Sequence, residues 1–237
     1  MVYKLENNIS EIESQCGIKP IDVEIVEIGS DPNFIFVNDV GPRDGLQNQA
    51  VQVEPETRIT LIQKLIDAGV PGVEVASFVS PKAVPRMAGA WEIMTALKDS
   101  PAALSALVPN LKGYEMARDA GTKIISVVPS ATETMNRKNI NMGYEDILAL
   151  SCDLMKRAKD DGIKGQAYVS VAFECPFEGQ VSQDRVMEMT ETLLNAGAQE
   201  IIIADTIGAA NRGCCNILNF LTLLLYGRVS VFVELTT

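Results

Sequence analysis

The chain has 237 residues, 47% of them hydrophobic, enough to fill one large α/β domain or two small ones and too many for a disordered, collagenous or disulfide-knotted chain. Lys and Arg number 20 against 31 Asp and Glu, so the net charge of -11 argues against a general nucleic-acid or anionic-membrane surface, and an anionic substrate would need a local basic pocket. Histidine is absent, which removes the commonest general base near neutral pH and the commonest transition-metal ligand.

Residues 1–15, MVYKLENNISEIESQ, carry Glu6, Glu11 and Glu13 with no apolar run and no Arg enrichment. That pattern fits neither a secretory signal nor a mitochondrial presequence, and the expected compartment is the cytoplasm. Residues 1–33 stand as an N-terminal extension, within which DVEIVEIG at 22–29 resembles a second copy of the strand that follows. FIFVNDV at 34–40 is the first predicted strand. A helical stripe of Ile59, Ile62, Leu65 and Ile66 comes next, then a strand VEVAS at 73–77 and a stripe of Met87, Trp91 and Met94. Strands LSALV at 104–108 and KIISVV at 123–128 precede the stripe of Ile147, Leu148, Ser151, Leu154, Met155 and Ala158. QAYVSVAF at 166–173 is the fifth strand, Ser182 is placed to cap a helix carrying Val186, Met189 and Leu193, and EIIIA at 200–204 is the sixth strand. The apolar stretch ILNFLTLLLY at 217–226 falls short of the roughly 20 residues a membrane span needs, so a buried helix is expected and no membrane role. VSVFVEL at 229–235 offers a seventh strand.

One punctuation recurs: DAGV, DAGT, DDGI and NAGA each end a helical pattern at a glycine, Gly69, Gly121, Gly162 and Gly197, and a β-rich run follows each time. A glycine just past a helix accepts the left-handed conformation that closes its last turn. Short apolar runs between amphipathic helices indicate parallel strands covered on both faces. The repetition predicts a TIM (β/α)8-type barrel, incomplete at about six to seven units, since a closed barrel takes about 250 residues. A doubly wound open sheet is the other candidate; no GxGxxG follows the first strand, and polar residues sit at the ends of several different strands.

Barrel enzymes build their sites at those C-terminal strand ends. After the first strand, GPRDGLQNQ supplies Arg43, Asp44 and Gln47; the second contains Glu74; Lys138 and Asn139 lie after the fourth, Glu174, Cys175 and Glu178 after the fifth, and Asp205 and Thr206 end the sixth. Asp44, Glu74 and Asp205, each alone an ordinary helix cap or surface charge, would repel one another in a single mouth unless Arg43 or a cation neutralised them. Oxygen ligands favour Mg2+ or Mn2+. The five cysteines, Cys16, Cys152, Cys175, Cys214 and Cys215, form no CxxC pair and read as reduced thiols, Cys175 in packing or loop structure and Cys16 and Cys152 on a helix face or in the core.

The segments GPRDGLQNQ, VEVASFVSPKAVPRM, LVPNLKGYEMA, RKNIN, YVSVAFECPFEG and ADTIG, in this order and spacing, resemble the hydroxymethylglutaryl-CoA lyase family of TIM barrels over roughly residues 34–212. The resemblance implies retro-Claisen cleavage of 3-hydroxy-3-methylglutaryl-CoA to acetyl-CoA and acetoacetate, with a bound divalent cation and an acyl-CoA substrate. It assigns Asp44 to the metal and Arg43 to the developing enolate oxygen. Glu74 and Asp205 would line the site, Asp205 helping to place or move the proton of the tertiary hydroxyl. Gln47, Lys138, Asn139 and Thr206 would bind substrate, Lys138 and Asn139 on the acyl-CoA side.

The departures from that family matter equally. Its seventh strand carries a His-x-His pair that binds the metal; here either Phe232 and Glu234 or Glu234 and Thr236 take those places. The eighth unit, a distal ligating Asn and a glycine-rich loop with a catalytic cysteine are also missing. RGCCNILNFLTLLLYGR breaks from the family pattern, making residues 213–237 a divergent tail of the kind a truncated or frame-shifted gene leaves, with a functional shortened paralogue as the other reading. The expectations are a weakly bound metal, impaired activity and homo-oligomers formed through unpaired strand edges. The alternative is a non-catalytic barrel remnant that binds acyl-CoA or pairs with a full-length lyase subunit.

Overall fold

The chain lays down its strands as β1 (Asn38–Asp39), β2 (Gly72–Ser77), β3 (Ala103–Leu107), β4 (Ile124–Val127) and β5 (Lys164–Val169), then a small antiparallel hairpin of β6 (Glu174–Cys175) and β7 (Gly179–Gln180), then β8 (Glu200–Asp205) and β9 (Val229–Val233). The computed structural model describes residues 36–210 and the backbone of 229–233. Seven strands pair in parallel in the order β1-β2-β3-β4-β5-β8-β9. Each new strand is added on the same side of the last. A doubly wound sheet would reverse direction at a switch point, so that alternative is set aside in favour of barrel-type winding. The barrel is incomplete among the described residues, where β1 and β9 do not pair with each other.

Among the described residues six helices, α1 (Pro55–Asp67), α2 (Ala90–Leu97), α3 (Leu111–Asp119), α4 (Glu133–Ile140), α5 (Tyr144–Asp160) and α6 (Gln183–Asn195), supply the crossovers from β1 to β8. The glycine punctuation is one repeated turn. After α1, Gly69 adopts φ +87°, its N–H bonds to the Ile66 carbonyl, and the Val70 N–H reaches back to Leu65. This double bond closes orphan carbonyls of the last turn. The same pair of bonds follows α3, α5 and α6. A second glycine has a steric reason as well: Gly89, at φ +82° before α2, would drive a Cβ to within 2.3 Å of the Pro55 ring at the start of α1.

The core lies between helices and sheet. Ile62 of α1, Ile93 and Leu97 of α2, Leu154 and Met155 of α5, and Val186, Met189 and Leu193 of α6 pack on Val73, Val75, Ala106, Ile125, Val127, Ala167, Val169, Ile201 and Ile203. Among the described residues the opposite face of the sheet holds only a small apolar cluster, Tyr168, Ile202 and Ala204 with Val128 against it. Beside it runs a polar row at one level: Ser126, Gln166 and Glu200 are register partners across β4, β5 and β8. The Ser126 hydroxyl bonds Gln166 Oε1 at 3.3 Å, Gln166 Nε2 donates to Glu200 Oε2 at 2.7 Å, and Lys164 Nζ meets the same oxygen at 2.7 Å.

Several expectations need correction. Trp91 is 43% exposed and Met87 belongs to a separate turn, Pro85–Met87, so the phase of Met87 does not carry into α2, whose buried face is Ala90, Ile93, Met94 and Leu97. The first strand is only Asn38–Asp39; Phe34 and Ile35 lie outside the described residues. The fifth strand stops at Val169, because Val171 takes φ +52°, a conformation that ends a strand. Ser182 occupies the cap position of α6 but its side chain makes no capping bond. Val229–Val233 does add a strand beside β8. ILNFLTLLLY, Glu234, Thr236 and Cys16, Cys214 and Cys215 lie outside the described residues. Among the described residues no helix is long and apolar enough to cross a membrane.

Candidate active site

Five residues after β1, Gly41–Gly45, form one wide helical turn in which the Val40 carbonyl accepts the N–H groups of Arg43, Asp44 and Gly45. The Gly41 N–H is held by Asp39 Oδ1 at 2.8 Å. The turn delivers the Arg43 side chain inward, where it is buried between two acids. Its Nε–H donates to Oε1 of Glu74 on β2, and its Nη1 donates to Asp44 Oδ1 at 2.5 Å. Burial opposes the Arg43 charge, but the Glu74 and Asp44 carboxylates outweigh it and hold its pKa above the ordinary value. Glu74 is wholly buried, and its Oε2 has no hydrogen-bond partner among the described residues.

Arg43 and Asp44 line a cavity of about 410 Å³ together with Gln47, Asn139 and Thr206, so five of the residues singled out in the sequence come together around one cavity. That volume is in the range of small-molecule sites. Thr206 is oriented by accepting the Val171 N–H at 2.9 Å. Asn139 is brought in by α4, whose first turn is tied down twice: Asn136 Nδ2 donates to the carbonyls of Ser130 and Thr132, and Glu178 of the β6–β7 hairpin accepts the Thr134 N–H at 2.6 Å. Apolar residues of the wall include Leu107, Val108, Val127, Met135 and Leu154.

Three residues stand elsewhere. Glu74 sits behind Arg43 rather than on the wall. Asp205 is 3% exposed and off the cavity; its two oxygens accept the N–H groups of Ala209 and Ala210 at 2.9 and 3.0 Å, tying the loop after β8 to its own strand. Lys138 lies over the Phe177 ring, 4.7 Å from its centre, on the hairpin and off the cavity wall. The three acids therefore do not share one mouth: two meet at Arg43 and the third holds a loop. Cys175 is buried and receives a hydrogen bond from the Thr132 hydroxyl at 3.2 Å, a packing position.

The structure adds Tyr168 and Ser77 to the cavity wall. Burial foremost, and then the charge of Glu74, pushes the Tyr168 phenol well above its ordinary pKa, so it stays a neutral hydroxyl at physiological pH. The alternation of QAYVSVAF carries the signal for Tyr168, since Ala167 and Val169 face the helices. No comparable signal exists for Ser77, whose orientation depends on strand pairing.

A divalent cation needs several oxygen ligands at once. Among the described residues no three of His, Cys, Asp and Glu come together as such a group, and Asp44 and Glu74 each already give an oxygen to Arg43. The described residues by themselves do not fit a resident Mg2+ or Mn2+.

Residues 34–221 match the family model described as HMGL-like. The chain is 38% identical over 192 residues to the mitochondrial hydroxymethylglutaryl-CoA lyase of Bos taurus, covering 81% of this chain and 59% of that protein. It is 39% identical over 183 residues to the cytoplasmic 3-hydroxy-3-methylglutaryl-CoA lyase of Danio rerio, covering 77% and 55%. Its fold superposes on the crystal structure of hydroxymethylglutaryl-CoA lyase from Pseudomonas aeruginosa with a TM-score of 0.76 and 34% identity, over 81% of this chain and 65% of that one. The chain thus spans less than two thirds of the length of these relatives.

Proposed function

This chain belongs to the HMGL-like family, and from that premise we propose that it is a carbon–carbon lyase of acyl-CoA thioesters, cleaving 3-hydroxy-3-methylglutaryl-CoA to acetyl-CoA and acetoacetate at a reduced rate. The observation that carries this reading is the buried guanidinium of Arg43, held by two carboxylates on the wall of a cavity of small-molecule size. In the reaction the tertiary hydroxyl loses its proton, the adjacent carbon–carbon bond breaks, and the electron pair passes to the thioester as an enolate that is then protonated on carbon. Positive charge is needed where that enolate oxygen forms. Arg43 supplies it, fixed by Glu74 and Asp44 so that no reorganisation is required as charge develops.

Asp44 is the acid that lines the cavity, and this reading assigns it the hydroxyl proton. Gln47, Asn139 and Thr206 orient the substrate, with Lys138 toward its CoA end, and Asp205 positions the loop that carries Thr206. A carboxylate is a weak base near neutral pH compared with imidazole, and poor general acid–base matching commonly costs 10² to 10⁴ in rate, on the order of what this reading expects. Mg2+ or Mn2+ is expected to bind weakly, with Asp44 as its ligand, and no step above depends on it. The working unit is residues 34–212, with 1–33 an extension and 213–237 a divergent tail. The relatives named above include mitochondrial and cytoplasmic forms, and for this chain the cytoplasm is proposed.

The test is formation of acetoacetate from the thioester with Mg2+ or Mn2+ in the buffer. Slow turnover, lost in Arg43→Ala, is the expected result. A second reading, acyl-CoA binding without cleavage, is favoured by the engagement of both nearby carboxylates with Arg43. Binding of the thioester with no product would select it. Either reading expects self-association, since among the described residues β1 leaves one edge of the sheet unpaired. A sharp monomer peak in size exclusion, with cooperative melting, would count against that.

A further inference from the structure

Strand β2 carries one residue more than its partner. Glu74 stands opposite Ser105 and Ala76 opposite Ala106, so Val75 has no opposite number on β3. An extra residue of this kind resets the alternation of the strand beyond it. Val73 and Val75 join the helix-side core and Glu74 faces Arg43; past the bulge Ala76 and Phe78 are on the helix side and Ser77 is on the cavity wall. Without the bulge, a period of two would bring Glu74 and Ala76 to the inner face and send Ser77 outward.

The bulge is underpinned from outside the sheet by Arg58 of α1. Its Nη2 donates to the Val75 carbonyl at 3.1 Å and its Nη1 to the Ala88 carbonyl in the turn before α2, also at 3.1 Å. Arg58 is wholly buried, and among the described residues no carboxylate pairs with it. Burial lowers its pKa. An unpaired buried cation is unfavourable in a helix–sheet contact that an aliphatic side chain would otherwise fill. Its planar fork does what an aliphatic group cannot: it serves two backbone carbonyls on different elements at once.

We propose that Arg58 is a positioning residue, which clamps the Val75 bulge to α1 and so sets the rotation of β2 that aims Glu74 at Arg43. Arg58 touches neither the cavity nor the pair. The proposal rests on reading Arg43 and Glu74 as the reacting face, and its test observes that pair directly, so it is decided whether or not the chain turns over a thioester.

The probe is the Arg43 Nε–H signal in proton–nitrogen correlation spectra of the full chain, assigned by its loss in Arg43→Lys. Held by Glu74 in a buried site, it should exchange slowly in the parent protein. Arg58→Met is expected to shift it and speed its exchange about tenfold, the scale of one hydrogen bond, while backbone amides of β4 and β5 keep their protection. Arg58→Lys, which retains charge and donors for one carbonyl, should recover most of the slow exchange. An unchanged Arg43 signal in folded Arg58→Met overturns the proposal. So does equal loss of protection at Arg43 and in β4 and β5, which would mark general destabilisation. If Arg58→Met does not fold, Arg58→Gln decides by the same two criteria. Where turnover is measurable, kcat should fall in Arg58→Met with KM nearly unchanged; without turnover the functional reading fails and the exchange result stands.

Discussion

The two faces of this sheet are built on opposite plans. The helix-side face is a continuous apolar layer drawing, among the described residues, on five helices and five strands, and any one of its members is backed by many others. Among the described residues the inner face has three buried apolar residues and, beside them, polar groups joined by directional bonds: Glu74 with Arg43, and the row from Ser126 to Glu200. Dispersion and burial are non-directional, so the outer face holds the fold together without specifying much detail. Directional bonds on the inner face add little stability and determine where charges stand.

That contrast predicts separable failures. Arg43→Ala, on the inner side, should cost roughly 10² to 10³ in acetoacetate formation, the usual loss on removing a group that meets a developing oxyanion. A turnover unaffected by it would mean the cavity wall is not where the chemistry occurs. On the outer side, Leu193→Ala, in the core and away from the cavity, should lower unfolding free energy by about 2 to 5 kcal/mol in urea titrations, with no specific effect on thioester binding. If binding fails in the folded variant as well, the two faces are not independent. A smaller effect is expected for Gln166→Ala, about 1 kcal/mol by the same titration, because its two bonds exchange largely for water.

Calorimetric titration with Mn2+ sharpens the account of the inner face. No saturation is expected in the micromolar range, given the ligands among the described residues; tight binding abolished by Asp44→Ala would show a complete site assembled with groups outside them. The least effect concerns pH and an exposed group. Glu133 accepts the Tyr144 N–H and pairs with Arg137, which holds its carboxyl below the usual range. A depressed folded pKa means stability present above the unfolded value, about 4.3, and lost as pH falls through the lower folded one. Glu133→Gln should therefore flatten the acid limb of a melting-temperature profile slightly and leave it unchanged near neutrality.

What was legible from sequence divides along the same line. The four glycine turns are local, each written in a four-residue motif, and all four adopt the same bonds. The apolar stripe from Ile147 to Ala158 needed only its own period. Where a side chain depends on another element, the sequence gives less. Arg58 looks like any exposed helix arginine until β2 and the turn at Ala88 are placed beside it. Ser77 cannot be assigned a face without knowing that Val75 is unpaired. Helix α4, ETMNRKNI, buries only Asn136 and shows no stripe, so the different directions taken by Lys138 and Asn139 had no local sign. The acid of ADTIG was expected in the mouth because it ends a strand; two backbone N–H groups downstream claim it instead.

The row across β4, β5 and β8 also levels the rim of the barrel from below. A strand that slips by one residue exchanges its two faces, so a slip in any of the three would turn Ser126, Gln166 or Glu200 outward and break the row. With the three strands pinned at one height, their far ends arrive at related heights too: the Ser130–Ser170 bridge closes above β4 and β5, and Thr206 follows β8 beside Val171. The polar groups around the opening thus inherit their mutual alignment from residues at the opposite end of the sheet. Engineering the cavity in this chain is in part a matter of leaving that distant row alone.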